Sequence, residues 1–297
     1  MGNYDGIHKG HHDVLSYIVK EGRKRNIPSC LITFSPNPFY VLSDKPKPIT
    51  LQSQDFKLKT LKEIGLDKVL IIPFTEQFSL TTAQVFAETV LKDLFNPEVI
   101  SVGTNHYFGH KKEGDLAFLK VFCQENDIKL HVPEMIEHEG STISSSLIRS
   151  LILDGNSSKV YDYLGRFYGF NAKIVSGSNR GKTMNYPTAN FIPTFKNQLL
   201  PSTGVYLSRV FLDGENYFGM TNAGVRPTFN EKKFVMEVHI LSDKFGNLYD
   251  KNFYIEFLHK IRDEIKFDNM ELLIEQIEKD KEVCIELIDT FKEKYEI

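Results

Sequence analysis

A change of pattern near residue 154 limits most strongly what this chain can fold into. Upstream of it, short apolar runs alternate with stretches of helical period. Ser29 to Phe34 (SCLITF), Lys68 to Phe74, Val99 to Gly103 and Lys129 to Pro133 read as strands. Between and around them, His12 to Arg25, Asp55 to Ile64, Thr81 to Phe95 and Gly114 to Asn126 read as helices, the third with Phe86, Val90 and Leu94 on one face. The polar stretch through Pro46 and Pro48 reads as a surface loop. Strands separated by helices imply a doubly wound α/β domain, a parallel sheet covered on both faces. Such a sheet calls for an apolar strand directly ahead of Gly2, and in this sequence that first strand is missing.

Beyond Asp154-Gly155-Asn156-Ser157-Ser158, strand-like runs follow one another without helices: Asn171 to Ser176, Gly204 to Leu212, Tyr217 to Met220, Phe234 to Leu241 and Asn252 to Leu258. Asp213-Gly214 suits a tight hairpin between two of them. Met270 to Lys294 returns to helical spacing. The second half therefore reads as an antiparallel β-barrel with a C-terminal helix. The expected domains are residues 1–157 and 158–297, in keeping with the roughly two domains that this length suggests.

A formal net charge of -3 offers no broad electrostatic footprint for nucleic acid or an anionic membrane, so any phosphate site must be local. No apolar run approaches a spanning helix, and no signal-peptide pattern opens the chain. Cys30, Cys123 and Cys284 lie far apart without metal-ligand spacing and read as reduced thiols of a cytoplasmic protein. Oligomeric state is not legible.

In α/β sheets ligands collect in the loops leading from strands into helices. The opening stretch, Gly2-Asn3-Tyr4-Asp5-Gly6-Ile7-His8-Lys9-Gly10-His11, is such a segment. It places His11 where a helix begins, with unpaired N–H groups and the positive dipole end favouring an anion. Glycines let backbone approach a phosphate, and two imidazoles could donate hydrogen bonds to a crowded phosphoryl group. The bland alternative is two solvated histidines in a glycine-rich turn. Gly103 to Gly109 offers Asn105 and aromatic faces, or a plain turn. Ser144, Ser145, Ser146 and Arg149 open another helix, where hydroxyls either cap it or meet a polyphosphate.

In the second half, Gly177 to Thr183 (GSNRGKT) invites a P-loop reading but fails it. The glycine spacing is wrong, and Tyr186-Pro187 follows where a helix should. What remains is a basic glycine loop over phosphates or a surface hairpin. Pro187-Thr188-Ala189-Asn190 presents a hydroxyl and an amide oxygen to one side of an extended segment, hard ligands suited to Mg²⁺, or else a capped turn. Glu237, in an otherwise apolar strand, reads as an edge gatekeeper, an ion-pair partner or a general base.

These motifs together resemble the bifunctional bacterial FAD synthetases, which join a riboflavin kinase to an FMN adenylyltransferase. The resemblance covers essentially the whole chain: GNYDGIHKGH, ITFSPNP, VGTNHYFGHKKEGD and ISSSLIR, then GRFYGF, GSNRGKTMNYPTANF, GVY, NAGVRPTF, MEVHIL and FLHKIRDEIKF. It implies an HxGH-type nucleotidyltransferase domain followed by a flavokinase barrel, with riboflavin, FMN and ATP as substrates, FAD as product and Mg²⁺ as cofactor. His8 and His11 would stabilise the phosphorus under attack. Gly2, Asp5, Gly10, Asn105, Ser144, Ser145 and Arg149 would bind nucleotide and phosphate. Glu237 would be the kinase base, Thr188 and Asn190 would hold the metal, and Gly177, Arg180, Gly181, Lys182 and Thr183 would form the nucleotide flap. Phe108 and Arg262 would contact flavin. His106-Tyr107 departs from the family's aromatic-then-basic pair ahead of Phe108, and Ser146 stands where threonine is usual. The alternatives are a kinase with an impaired first half, a non-catalytic flavin-binding regulator, and a cytidylyltransferase, which would leave the second half idle.

Overall fold

The computed structural model describes residues 1–42, 49–134, 137–138, 141–176, 186–227, 232–242 and 251–296. They divide into two compact units, Met1–Ser145 and Ser146–Ile297.

The first unit alternates helices and strands. Helix α1 (Lys9–Arg25) leads to β1 (Cys30–Ser35), a single-turn α2 (Phe39–Leu42), α3 (Gln54–Ile64) and β2 (Lys68–Pro73). Next come short helices α4 (Glu76–Ser79) and α5 (Ala83–Phe86), then β3 (Val99–Ser101), α6 (Leu116–Glu125) and β4 (Lys129–His131). A two-residue pair, β5 (Glu137–His138) and β6 (Ser141–Thr142), follows. The strands are parallel as expected, but they form two two-stranded pieces, β1–β2 and β3–β4. Among the described residues ahead of α1, Met1 to His8, there is no strand, although the Gly2 N–H donates to the Ile32 carbonyl of β1 at 3.0 Å. Local chemistry explains the helix ends. Ser53 caps α3 through the Phe56 N–H, Gly65 closes it in the left-handed region, and Asp115 caps α6 through the Phe118 N–H.

Two helices depart from the sequence reading. The first starts at Lys9 rather than His12, because the His8 side chain caps it. The expected helix from Thr81 to Phe95 is α-helical only over Ala83–Phe86, and Ala87–Phe95 winds as a π-helix. Hydrogen bonding five residues back lengthens the turn. Phe86 and Leu91 therefore face the core, while Leu94 is 66% exposed.

The second unit begins with α7 (Ser145–Leu153), whose first residue closes unit one, and α8 (Ser157–Leu164). Strands β7 (Tyr168–Val175), β8 (Ala189–Pro193), β9 (Gly204–Leu212), β10 (Glu215–Pro227), β11 (Lys232–Ile240) and β12 (Asn252–Arg262) close into a barrel in the order β10-β11-β8-β7-β12-β9. All six contacts are antiparallel. The β9–β10 hairpin turns on Asp213 (φ 53°) and Gly214 (φ 86°), the two positive φ values that a tight two-residue hairpin needs.

Strict alternation along β7 buries Tyr168, Phe170, Ala172 and Ile174. Ser208 and Thr221, both fully buried, bond each other at 2.6 Å and so satisfy their hydroxyls without water. A second cluster holds Phe167, Val205, Leu207, Met220 and Leu258. Helix α9 (Met270–Tyr295) packs on it through Ile277, Cys284, Ile288 and Phe291. Strand β8 and helix α8 escaped the sequence reading: Pro187 suggested a turn, and the small polar run before α8 suggested a linker.

Candidate active sites

The glycine-rich stretch ahead of α1 is anchored from several sides. Lys57 of α3 donates to the Asn3 carbonyl at 2.8 Å, and the Gln52 amide donates to the Tyr4 carbonyl at 3.1 Å. Both Asp5 carboxylate oxygens accept from the Leu51 N–H, at 3.1 and 3.2 Å. Gly6 sits at φ +88° with its α-carbon pressed on Leu51, where a Cβ would come 2.6 Å from Leu51 Cδ1. Gly10 leaves room for His8: a Cβ there would fall 3.3 Å from the ring nitrogen Nδ1.

His8 and His11 come together. Their rings stack at 3.6 Å with planes 19° apart, and Tyr4 covers His11 at 4.8 Å. His8 Nδ1 accepts the His11 backbone N–H at 3.3 Å, so the neutral His8 ring carries its proton on Nε2. Burial first, then His8 and Lys57, holds the His11 pKa well below the usual 6.5. His11 Nδ1 is buried and has no hydrogen-bond partner among the described residues, a state that costs about 1–3 kcal/mol until something fills it. Lys57 is itself buried, and desolvation lowers its pKa while Asp5 works the other way. Sequence reading missed it. The signal available was a lysine one turn before the buried Leu61 on an amphipathic helix.

The Ser145 hydroxyl donates to the Asp5 carbonyl at 2.7 Å, tying the last residue of the first unit to the glycine stretch. Ser144 precedes it, and Arg149 follows one turn along the same helix face. Asn105 is exposed in the turn after β3. Phe108 is buried between Phe86 and Phe118, each at 5.6 Å.

In the barrel, strand register assembles a second constellation. Glu237 on β11 pairs directly with Asn190 on β8 and, on its other side, with Asn222 on β10. Direct antiparallel partners share a face, with β-carbons about 4.5–5.5 Å apart. Met236 and Val238 on either side of Glu237 are buried, as are Thr221 and Ala223 around Asn222, so the three polar residues point outward together. Thr188 lies two residues before Asn190, just ahead of β8. Asn222 was invisible to sequence reading because its alignment with Glu237 depends on strand register.

Arg262 is held by Asp280 of α9 through Nε (2.9 Å) and Nη2 (2.7 Å). Gln276 donates to the same carboxylate at 2.9 Å. Gly177, Arg180, Gly181, Lys182 and Thr183 lie outside the described residues. Among the described residues no group of three His, Cys, Asp or Glu side chains is placed to hold a metal. The hydroxyl of Thr188 and the amide oxygen of Asn190 are nevertheless hard oxygens of the kind that suit a divalent cation.

Two family models match the chain: FAD synthetase over residues 1–147 and riboflavin kinase over 164–288. The bifunctional riboflavin kinase/FMN adenylyltransferase of Escherichia coli (strain K12) is 33% identical over 95% of this chain and 89% of its own length. That of Haemophilus influenzae is 31% identical over 96% and 92%. A crystal structure described as a macrolide-efflux protein from Streptococcus pneumoniae superposes with a TM-score of 0.87 at 31% identity, covering 96% of this chain and 92% of that one. Among the described residues no helix is long and apolar enough to cross a membrane. With both domain models in order and full-length relatives at this identity, the chain belongs to the bifunctional riboflavin kinase/FMN adenylyltransferase family.

Proposed function

We propose that the chain phosphorylates riboflavin to FMN with ATP, then transfers the adenylyl group of a second ATP to FMN, giving FAD and pyrophosphate. The kinase site is Glu237 with Asn190, Thr188 and Asn222. Glu237 accepts the proton of the riboflavin 5′-hydroxyl as its oxygen attacks the γ-phosphorus of ATP, and ADP leaves. Thr188 and Asn190 would hold Mg²⁺, which supplies charge neutralisation on the phosphates when bound. Gly177, Arg180, Gly181, Lys182 and Thr183 are assigned to the nucleotide flap, and Arg262, oriented by Asp280, to the flavin.

The adenylyltransferase site is the cradle ahead of α1. A phosphate oxygen of FMN attacks the α-phosphorus of ATP, and the pyrophosphate oxygen takes the electrons of the broken bond. His8 donates Nε2–H and His11 a ring N–H to the phosphoryl oxygens, where charge gathers. Gly2, Asp5 and Gly10 shape the cradle. Asn105, Ser144 and Arg149 are assigned to nucleotide and pyrophosphate, and Phe108 to the flavin side. The Ser145 hydroxyl proton is committed to the Asp5 carbonyl, so its contribution is to tether that segment. We place the functional boundary at 157/158, between the two matched regions. Three free cysteines, two of them buried, fit a reducing, cytoplasmic setting.

The observation that carries this reading is the register that sets Glu237 beside Asn190. The test is to incubate the protein with riboflavin, ATP and Mg²⁺ and separate the products. Glu237→Gln should cut FMN formation by about 10²–10⁴-fold and spare FMN-to-FAD conversion. His8→Ala or His11→Ala should do the reverse, by about 10²–10³-fold. FMN as the sole product of the unmodified chain would return the reading to a kinase with an idle first half.

A further inference from the structure

The β8–β11 ladder ends early. Its pairs are Met236 with Phe191, Glu237 with Asn190 and Val238 with Ala189, and the next residue on β8's side, Thr188, is already outside it. Pro187, one further out, has no N–H with which to continue a ladder. Thr188 would therefore be held from one end only, although the proposed site requires its hydroxyl to keep a fixed relation to Asn190 and Glu237.

A side chain takes over where the ladder stops. His239 Nδ1 lies 2.9 Å from the Pro187 carbonyl oxygen. A carbonyl only accepts, so Nδ1 carries the hydrogen and donates it. His239 is two residues beyond Glu237 on β11, with the buried Val238 between them, so base and imidazole share the outer face. The His239 ring meets the edge of Tyr186 at 5.4 Å, and the Tyr186 hydroxyl donates to Glu278 of α9 at 3.4 Å. The short segment from Tyr186 to Asn190 is thus fastened at Tyr186, at Pro187 and by the ladder at Ala189.

We propose that His239 is a positioning residue of the kinase site, a clasp whose Nδ1–H holds the Pro187 carbonyl and thereby fixes Thr188 and Asn190 against Glu237. This rests on the reading of those three residues as the kinase site. Asparagine can present an amide N–H near the place of Nδ1–H, whereas leucine fills similar space without a donor. The comparison is therefore among the unmodified chain, His239→Asn and His239→Leu. One hydrogen bond is worth up to about tenfold in an equilibrium. His239→Leu should raise the KM for ATP in riboflavin phosphorylation by about that factor, with a smaller change in kcat. It should speed amide hydrogen exchange at Thr188 to Asn190 in the ligand-free protein, and His239→Asn should recover most of both effects. FMN-to-FAD conversion, carried by the other half, serves as the internal control.

In the unmodified chain, a long-range proton–nitrogen spectrum should show His239 with its proton on Nδ1. A proton on Nε2 alone would overturn the clasp whatever the variants do. Unchanged exchange and KM in His239→Leu, or equal damage in His239→Asn, would overturn it too. Glu237→Gln and Asn190→Ala separate the two ideas. If both retain kinase activity, the site reading fails; if both lose it while His239→Leu loses nothing, only the clasp fails.

Discussion

His11 and His106 are imidazoles that the fold keeps neutral. Burial holds His11 well below 6.5 and takes His106 to about 3, and His106 Nε2 is buried without a partner among the described residues. As pH falls through the unfolded value near 6.5, the unfolded chain gains protons that the folded one refuses, so stability falls with pH. Each histidine contributes a slope of up to about 1.4 kcal/mol per pH unit between 6.5 and its folded value. Denaturant unfolding of the first unit at pH 7 and pH 5.5 should show this loss, and His106→Phe should remove one histidine's share; an unchanged pH dependence would refute the assignment. The type and spacing of His8, His11 and Glu237 were readable in the sequence because motif chemistry is local. Lys57, Asn222 and His239 were not, because each matters only through a partner remote in sequence: Asn3, Glu237 and Pro187.

At the scale of elements, an ion pair ties α9 to β12 beside the apolar contacts. The Asp280 side chain is 3% exposed and Arg262 18%. Asp280→Ala would leave a part-buried guanidinium unpaired and should cost about 3–5 kcal/mol, measured by denaturant unfolding of the barrel. Replacing both residues with apolar ones of similar volume (Asp280→Leu with Arg262→Met) should restore most of that stability while losing the orientation that the pair gives. A loss confined to a few tenths of a kcal/mol in the single variant would mean that the apolar contacts of Ile277, Ile288 and Phe291 suffice. Most elements were legible because hydrophobic period is written locally. The π-helix at Ala87–Phe95 and strand β8 were not, since pitch and ladder membership are decided by what packs alongside.

For the molecule as a whole, two compact units with their own cores predict that the two chemistries can be separated. Neither Glu237→Gln nor His11→Ala alone should convert riboflavin to FAD, yet an equimolar mixture should do so through FMN released by one and taken up by the other. Failure of the mixture, with each single activity intact, would mean that FMN does not pass between molecules. The sequence by itself determined the class of each half, because alternation of strand and helix, or its absence, is a property of neighbours along the chain. It also determined the residue types available for phosphate chemistry. Only the tertiary structure decided which of them meet. Register across β8, β11 and β10 aligns Asn190, Glu237 and Asn222, and docking of α3 brings Lys57 to the glycine stretch. Those distances are set by long-range pairing and close packing, which no local pattern encodes.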